Sequence, residues 1–403
     1  MTNEISPNLL ARREDRRFDL ARLLSYACMF AFSYYIFYQF MLRPSSDLSI
    51  HATWAAECDF RDFDSFFHHG THIMWHVLVA LVLRLGVSLP VAAALVTAMC
   101  KTVELALVNR LYSMTLRLSR ARVTLLAVVS TLVTSVYWPG LGFSPINCWH
   151  SCTQLIAMVW MILCTTYVAY CYDEFEQRLP SMGNETILPW KTAITMGLML
   201  VLSLVAKPTF MQVFLPAACL YFGVKWIQHP KNSRFFGQII LCVLPSVVLM
   251  LLQYLYYFGI IVPHQSSMVL ELAWDKLQYV ALTVVLGGVF PIYVLIACRK
   301  RKGAGTLYWL TLLFDVVGVV EYIILGETGR RAGDGNFGWG MMGAALMMWI
   351  VSVIRFVRCM REDWQAQPRL KPWHITSFLL MLWHLASGFY YVSLLLTDSN
   401  KLF

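Results

Sequence analysis

Charged residues are scarce in this sequence: they make up only 14% of its 403 residues, against roughly 25% in a soluble domain. Hydrophobic residues fill 58% of the chain and the mean hydropathy is +0.59. This deficit excludes a soluble enzyme, which at this length would divide into two or three domains, and indicates a single transmembrane domain over residues 1–403. Nucleic-acid binding is excluded with it. The net charge of +9 is 32 Lys and Arg against 23 Asp and Glu, and its meaning depends on where the basic residues fall.

Other absences narrow the reading. No internal repeat or low-complexity tract occurs, so a transporter built from inverted repeats lacks its best sequence support. No small-residue cleavage site follows the first apolar run, which ends at Arg43-Pro44 and reads as an uncleaved signal anchor. The eleven cysteines form no framework. Most lie inside apolar runs, where Cys behaves as a small hydrophobe. The spacing of Cys148 and Cys152 suits a disulfide or a metal, but with one His nearby, unpaired thiols are the simpler reading.

What is present is a series of apolar runs. Spans are expected near 21–43, 91–111, 123–140, 154–172, 191–207, 209–225, 235–258, 277–298, 306–325, 339–357 and 373–396, about eleven in all. Trp138, Trp190, Trp226, Trp274, Trp309 and Trp373 fall near their ends, as an aromatic belt requires. Residues 73–90 are long and apolar enough to suggest a further span, and charge decides against it. With that segment juxtamembrane or re-entrant on the outer face, 23 of the 32 Lys and Arg residues lie inside; were it to span, only about 11 would. The expected fold is therefore an all-α polytopic transmembrane bundle with the N-terminus in and the C-terminus out. Residues 1–20 form a cytoplasmic N-terminus, and residues 44–90 a long first extracytoplasmic loop carrying juxtamembrane helices.

In this topology the polar chemistry collects outside. Asp47 and His51 are four residues apart, so on a helix they share one face; Ser45, Ser46 or Asp47 would cap that helix. Asp47 is then a candidate general base with His51 orienting it, against the plainer reading of a cap and a surface His. Asp62-x-Asp64 has the form of a metal-phosphate pair, which leaves a divalent cation open and no cofactor certain; a solvated carboxylate pair is the simpler reading. Lys207, before Pro208 at the outer end of a span, either snorkels or faces a cavity and pairs with a phosphate. The loop after the span at 306–325 carries Glu327, Arg330, Arg331 and Asn336 among glycines that let backbone approach a phosphate or sugar. Its Gly333-x-Gly335-x-x-Gly338 is a false dinucleotide fingerprint, because it follows a membrane helix and not a strand. Asp315 and Glu321 in the preceding span each need a buried partner or a watery cavity. Lys101 and Glu104, one helical turn apart, read as a structural pair.

These loops carry a resemblance. Asp47-x-x-x-His51 after the first span, the Trp75-His76 helix, Asn147-x-Trp149-His150-Ser151-x-Thr153, Lys207-Pro208-Thr209-Phe210, and Glu327-x-Gly329-x-Arg331 with Gly335-Asn336-Phe337-x-Trp339-Gly340 are spread over most of the chain. On them the chain resembles the polytopic C-fold glycosyltransferases (the GT-C superfamily), in particular a bacterial branch of surface-polysaccharide membrane proteins. Where members of that family often continue the Trp-His loop with Asn-Pro-Thr, this chain has Ser151-Cys152-Thr153. The resemblance implies a polyprenyl-phosphate-dependent transferase of the bacterial cytoplasmic membrane. It would pass a sugar to a cell-surface glycan or lipid-linked acceptor on the outer face, with Asp47 and His51 catalytic and His150, Lys207, Glu327, Arg330, Arg331 and Asn336 binding substrate. The rivals are a transporter or flippase of lipid-linked or anionic substrates, and a membrane acyltransferase, for which the span-interior His384 is the candidate.

Overall fold

The computed structural model describes residues 19–44, 46–138, 146–182, 187–263, 265–272, 274–301, 303–329 and 336–397. Among these residues the fold is all-α, apart from one antiparallel pair of three-residue strands. Nine helices among the described residues are long and apolar enough to cross a bilayer, which fits an integral membrane protein. They are α1 (Leu20–Met41), α4 (Leu89–Thr115), α6 (Cys152–Met182), α8 (Thr209–Gln228), α9 (Ser233–Tyr256), α10 (Trp274–Ala297), α11 (Gly305–Ile324), α12 (Gly338–Ala366) and α13 (Pro372–Thr397).

The other helices are shorter. Residues 73–90 form no continuous span: α3 (Met74–Leu83) covers ten residues, about 15 Å, half the hydrocarbon thickness. The chain then turns at Gly86, whose φ of 80° favours glycine, and α4 starts behind Ser88 with Pro90 in its first turn. α2 (Asp47–Glu57) precedes α3, so the stretch 44–90 carries two short helices. α7 (Trp190–Ala206) has 17 residues and α5 (Arg120–Leu132) has 13.

α5 differs from expectation. The run 123–140 is apolar nearly throughout, yet the helix stops at Leu132 because the backbone finds partners elsewhere. The Val136 N–H donates to the Leu286 carbonyl at 2.9 Å, the Tyr137 N–H to Ser387 Oγ at 3.0 Å, and His384 Nδ1 to the Thr134 carbonyl at 2.6 Å. The extended stretch is thereby stitched to α10 and α13. His384, the span-interior histidine, is held through Nδ1 at the Thr134 carbonyl.

Close backbone approaches set the bundle. A Cβ on Gly318 of α11 would lie 3.0 Å from the Met341 Cα of α12, and one on Gly340 would collide with Val213 of α8, so α8, α11 and α12 pack tightly where small residues allow it. α12 is the most enclosed of the nine long helices, and α1 runs along α4. Within α4, Lys101 Nζ donates to both Glu104 oxygens at 2.9 and 3.0 Å and to Asn147 Oδ1 at 2.5 Å, over the Trp149 ring. This fully buried pair therefore clamps the loop that begins α6, in keeping with a structural role. No disulfide joins Cys148 to Cys152.

Candidate functional site

The site begins at the first turn of α2. Ser46 Oγ accepts the Ser49 N–H at 3.1 Å, so Ser46 is the cap and Asp47 is the first helical residue, its carboxylate not engaged in capping. The four-residue spacing brings His51 Nε2 to 3.5 Å from Asp47 Oδ1. On its other side, His51 Nδ1 lies 3.0 Å from Nε2 of His76, in the first turn of α3. Asp47 Oδ2 is buried and has no hydrogen-bond partner among the described residues. Burial pushes the Asp47 carboxyl up. The His51 hydrogen bond and the charges of His51, Lys207 and His150 outweigh that and hold it below its ordinary value of 3.8.

Lys207 sits at the break between α7 and α8. A residue before proline is disfavoured in the helical region, and Lys207 is extended, with φ −170° and ψ 127°. Its side chain is buried, with Nζ donating to Thr153 Oγ1 at 3.2 Å and lying 4.5 Å from the Trp339 ring centre. Its charge acts on the Asp47 carboxyl, so the cation and the carboxylate belong to one electrostatic site.

Glu327 ends β2 (Leu325–Glu327), which pairs antiparallel with β1 (Met268–Leu270), Met268 opposite Glu327. Asn336 Nδ2 donates to Glu327 Oε2 at 2.6 Å, and the Thr328 N–H donates to the Ser267 carbonyl at 2.9 Å. Gly329 has φ 72° and leaves no room for a Cβ beside the Gln265 carbonyl. The bases of the loop are thus fastened. Arg330 and Arg331, between them, lie outside the described residues.

Asp47, His51, Lys207, Glu327 and Asn336 line one cavity of about 1220 Å³. Its wall is graded along the helices. α8 leaves the Lys207 end with Thr209, Gln212 and then Pro216 on the wall, a descent of about 10 Å at 1.5 Å per residue. α9 supplies Val247, Met250 and Leu251 before Gln253 and Tyr254, with Tyr257 just beyond its end, and α11 supplies Val317 and Val320 before Glu321 and Ile324. One end is therefore polar and the other apolar. α9 and α11 also carry exposed Leu252, Leu255 and Val316 beside this wall.

Several candidates lie elsewhere. His150 does not line the cavity: it stands behind Trp339, ring centres 5.5 Å apart, with Nδ1 2.5 Å from the Tyr391 hydroxyl. Burial pushes its imidazole down to about 4, so it is neutral near pH 7. Asp62 and Asp64 are also off the cavity wall, and Asp64 Oδ1 accepts the Tyr256 hydroxyl at 3.2 Å. No cluster of three His, Cys, Asp or Glu suited to a metal occurs among the described residues. Asp315 lines a separate cavity of about 70 Å³ with Thr283, Gly287 and Pro291.

Sequence reasoning did not single out Trp54, His69, His72, Gln253, Tyr254 or Tyr257, all of which line the cavity. Glu321 was legible as a carboxylate inside a span, and the structure puts it on the cavity wall, buried. Neither a protein-family model nor a curated protein sequence matches the chain.

Proposed function

We propose that this protein is a membrane glycosyltransferase that moves a sugar from a polyprenyl-phosphate donor to a cell-surface glycan or lipid-linked acceptor, with inversion, on the outer face of a bacterial cytoplasmic membrane. The observation that carries the reading is the company Asp47 keeps. A carboxylate with one oxygen held near a histidine, a buried lysine, and an apolar wall reaching down the helices share one cavity.

An isoprenoid chain enters along the apolar wall between α9 and α11, whose neighbouring faces are suited to lipid, and brings its phosphate to Lys207. Arg330 and Arg331, in the loop whose ends Glu327 and Asn336 tie together, are assigned to the same phosphate. The acceptor hydroxyl attacks the anomeric carbon while Asp47 Oδ2 takes its proton. The bond from that carbon to the phosphate oxygen breaks, and its electron pair leaves on the polyprenyl phosphate. Lys207 and the arginines stabilise that growing charge, usually a large part of such catalysis. A single displacement inverts the anomeric centre. The positive-inside count, with 23 basic residues inside, supports the outward orientation.

The test is reconstitution of the full chain with polyprenyl-phosphate-linked hexoses and measurement of released polyprenyl phosphate. Release that depends on Asp47 supports the reading. Movement of intact donor between leaflets without release would overturn it in favour of a flippase.

A further inference from the structure

We propose that Glu321, together with Thr209 and Gln212, forms the subsite that recognises the hydroxyl groups of the donor sugar. That these hydroxyls belong to a donor sugar rests on the transferase reading.

Glu321 interrupts an apolar strip. Val317, Val320, Glu321 and Ile324 recur at helical spacing on one face of α11, and all four line the large cavity. Glu321 is only 8% exposed, and its carboxyl has no hydrogen bond or ion pair with any described residue. A buried carboxyl without a partner costs the fold stability, so its partner is to be sought among what enters the cavity. Thr209 is in the same condition: it lines the cavity, is 8% exposed, and its Oγ1 is buried with no partner among the described residues. Gln212, three residues further along the same face of α8, brings a half-buried amide to the wall.

Helix α12 relates the depths of these groups. A Cβ on Gly338 would lie 3.3 Å from the Tyr322 ring, and one on Gly340 would lie 3.0 Å from the Thr209 carbonyl oxygen. Two residues of helix rise about 3 Å, so Thr209 and the turn holding Glu321 stand at nearly one depth. Trp339 lies between the two glycines, and Lys207 Nζ is 4.5 Å from its ring centre. The proposed phosphate site and the unpartnered polar groups therefore share one turn of α12. A carboxyl oxygen accepts from a hydroxyl whether the group is ionised or protonated, a threonine hydroxyl donates and accepts, and an amide does both. Adjacent sugar hydroxyls, each with one hydrogen to give and lone pairs to offer, match this set. The isoprenoid chain has nothing to offer Glu321, whereas the sugar is joined to the phosphate that Lys207 receives.

The experiment compares two lipids bound to the full chain in nanodiscs: a polyprenyl-phosphate-linked hexose, and polyprenyl methyl phosphate, which has the same phosphodiester charge and tail but no sugar. The wild type should bind the linked hexose more tightly by about ten-fold or more, the worth of hydrogen bonds to a carboxyl and its neighbours. Equal affinity for the two lipids overturns the proposal without any variant having to fold. Glu321→Leu should lose most of the preference and bind the methyl ester as the wild type does, and its melting temperature should not fall, because no protein contact is lost. Thr209→Val, of the same shape, should weaken binding of the linked hexose alone by about three- to ten-fold. Glu321→Gln, which keeps an acceptor oxygen, should retain part of the preference. Equal weakening of both lipids in Glu321→Leu would make Glu321 a structural residue of the wall and overturn the proposal. A loss as complete in Glu321→Gln as in Glu321→Leu would assign the carboxyl to a cationic group and overturn the hydroxyl assignment. If the wild type prefers the linked hexose but releases no polyprenyl phosphate, the transferase reading fails, and the hydroxyl subsite stands as that of a carrier.

Discussion

Asn336 Nδ2 donates to Glu327 Oε2 at 2.6 Å, across the loop that contains Arg330 and Arg331. A hydrogen bond to a charged group contributes about 1.5–3 kcal/mol, and this one joins the strand pair to the start of α12. Asn336→Ala should therefore weaken polyprenyl-phosphate binding about ten-fold while leaving the melting temperature nearly unchanged. Binding isotherms in nanodiscs check it, and wild-type affinity would mean that the loop places its arginines without this link.

Lys207 tests the phosphate site more directly. Lys207→Gln keeps a donor for Thr153 Oγ1 but removes the charge held under Trp339. Loss of a charge-assisted contact of about 1.5–3 kcal/mol corresponds to roughly 10- to 100-fold weaker polyprenyl-phosphate binding. Binding that does not change identifies Lys207 as a structural cation.

Asp47→Asn separates catalysis from capping. Because Ser46 supplies the cap, the substitution should leave expression and donor binding intact. It should lower turnover by about 10²-fold or more, the low end for a general base. Normal turnover here, with Asp59→Asn or Asp62→Asn inactive, would move the base later in the loop; if none of the three matters, the transporter reading gains.

How much was legible follows from how local each signal is. Asp47 and His51 are joined by helical spacing, and Lys207 stands out as a lone cation before proline at the end of an apolar run, so both were visible in one dimension. Glu327 and Asn336 were visible through the glycines around them. The contact of His51 with His76 was not, because it crosses 25 residues and two helices with no period to announce it. Gln253, Tyr254 and Tyr257 read as ordinary residues near a membrane interface, and only the packing of α9 turns them onto the cavity. His150 shows the converse: its residue type suggests a ligand, but depth decides, and Trp339 stands between it and the cavity. The end of α5 was hidden because hydropathy cannot tell a helix from an extended stretch whose backbone bonds to neighbours.

The buried histidines predict an acid limb in stability. His150 is held down to about 4 and His76 to about 3, both below the ordinary value of 6.5. Between those values the unfolded chain binds more protons than the folded one, so the stabilisation is present above about pH 6.5 and is lost as pH falls toward 4 and then 3. At about 1.4 kcal/mol per pKa unit, His150 alone accounts for about 3 kcal/mol by pH 4. The lowered Asp47 acts in the same direction, but only below its ordinary 3.8. Melting temperatures measured from pH 7.5 to 4.5 should fall, and less steeply in His150→Gln. A flat profile over that range would contradict neutral buried imidazoles.

Orientation is the last expectation, and the whole site assignment depends on it. Arg84 follows α3, its side chain half exposed and 3.6 Å from Asp59, whereas Lys300 is exposed in the turn between α10 and α11. The positive-inside count puts position 84 outside and position 300 inside. With the exposed Cys28 and Cys219 replaced by Ala, Arg84→Cys in intact cells should react with a membrane-impermeant maleimide. Lys300→Cys should react only after the membrane is opened. The reverse pattern would turn the polar end of the cavity toward the cytoplasm, where a donor presented on the outer leaflet could not reach Asp47 or Lys207, and the outward-facing transferase would have to be abandoned.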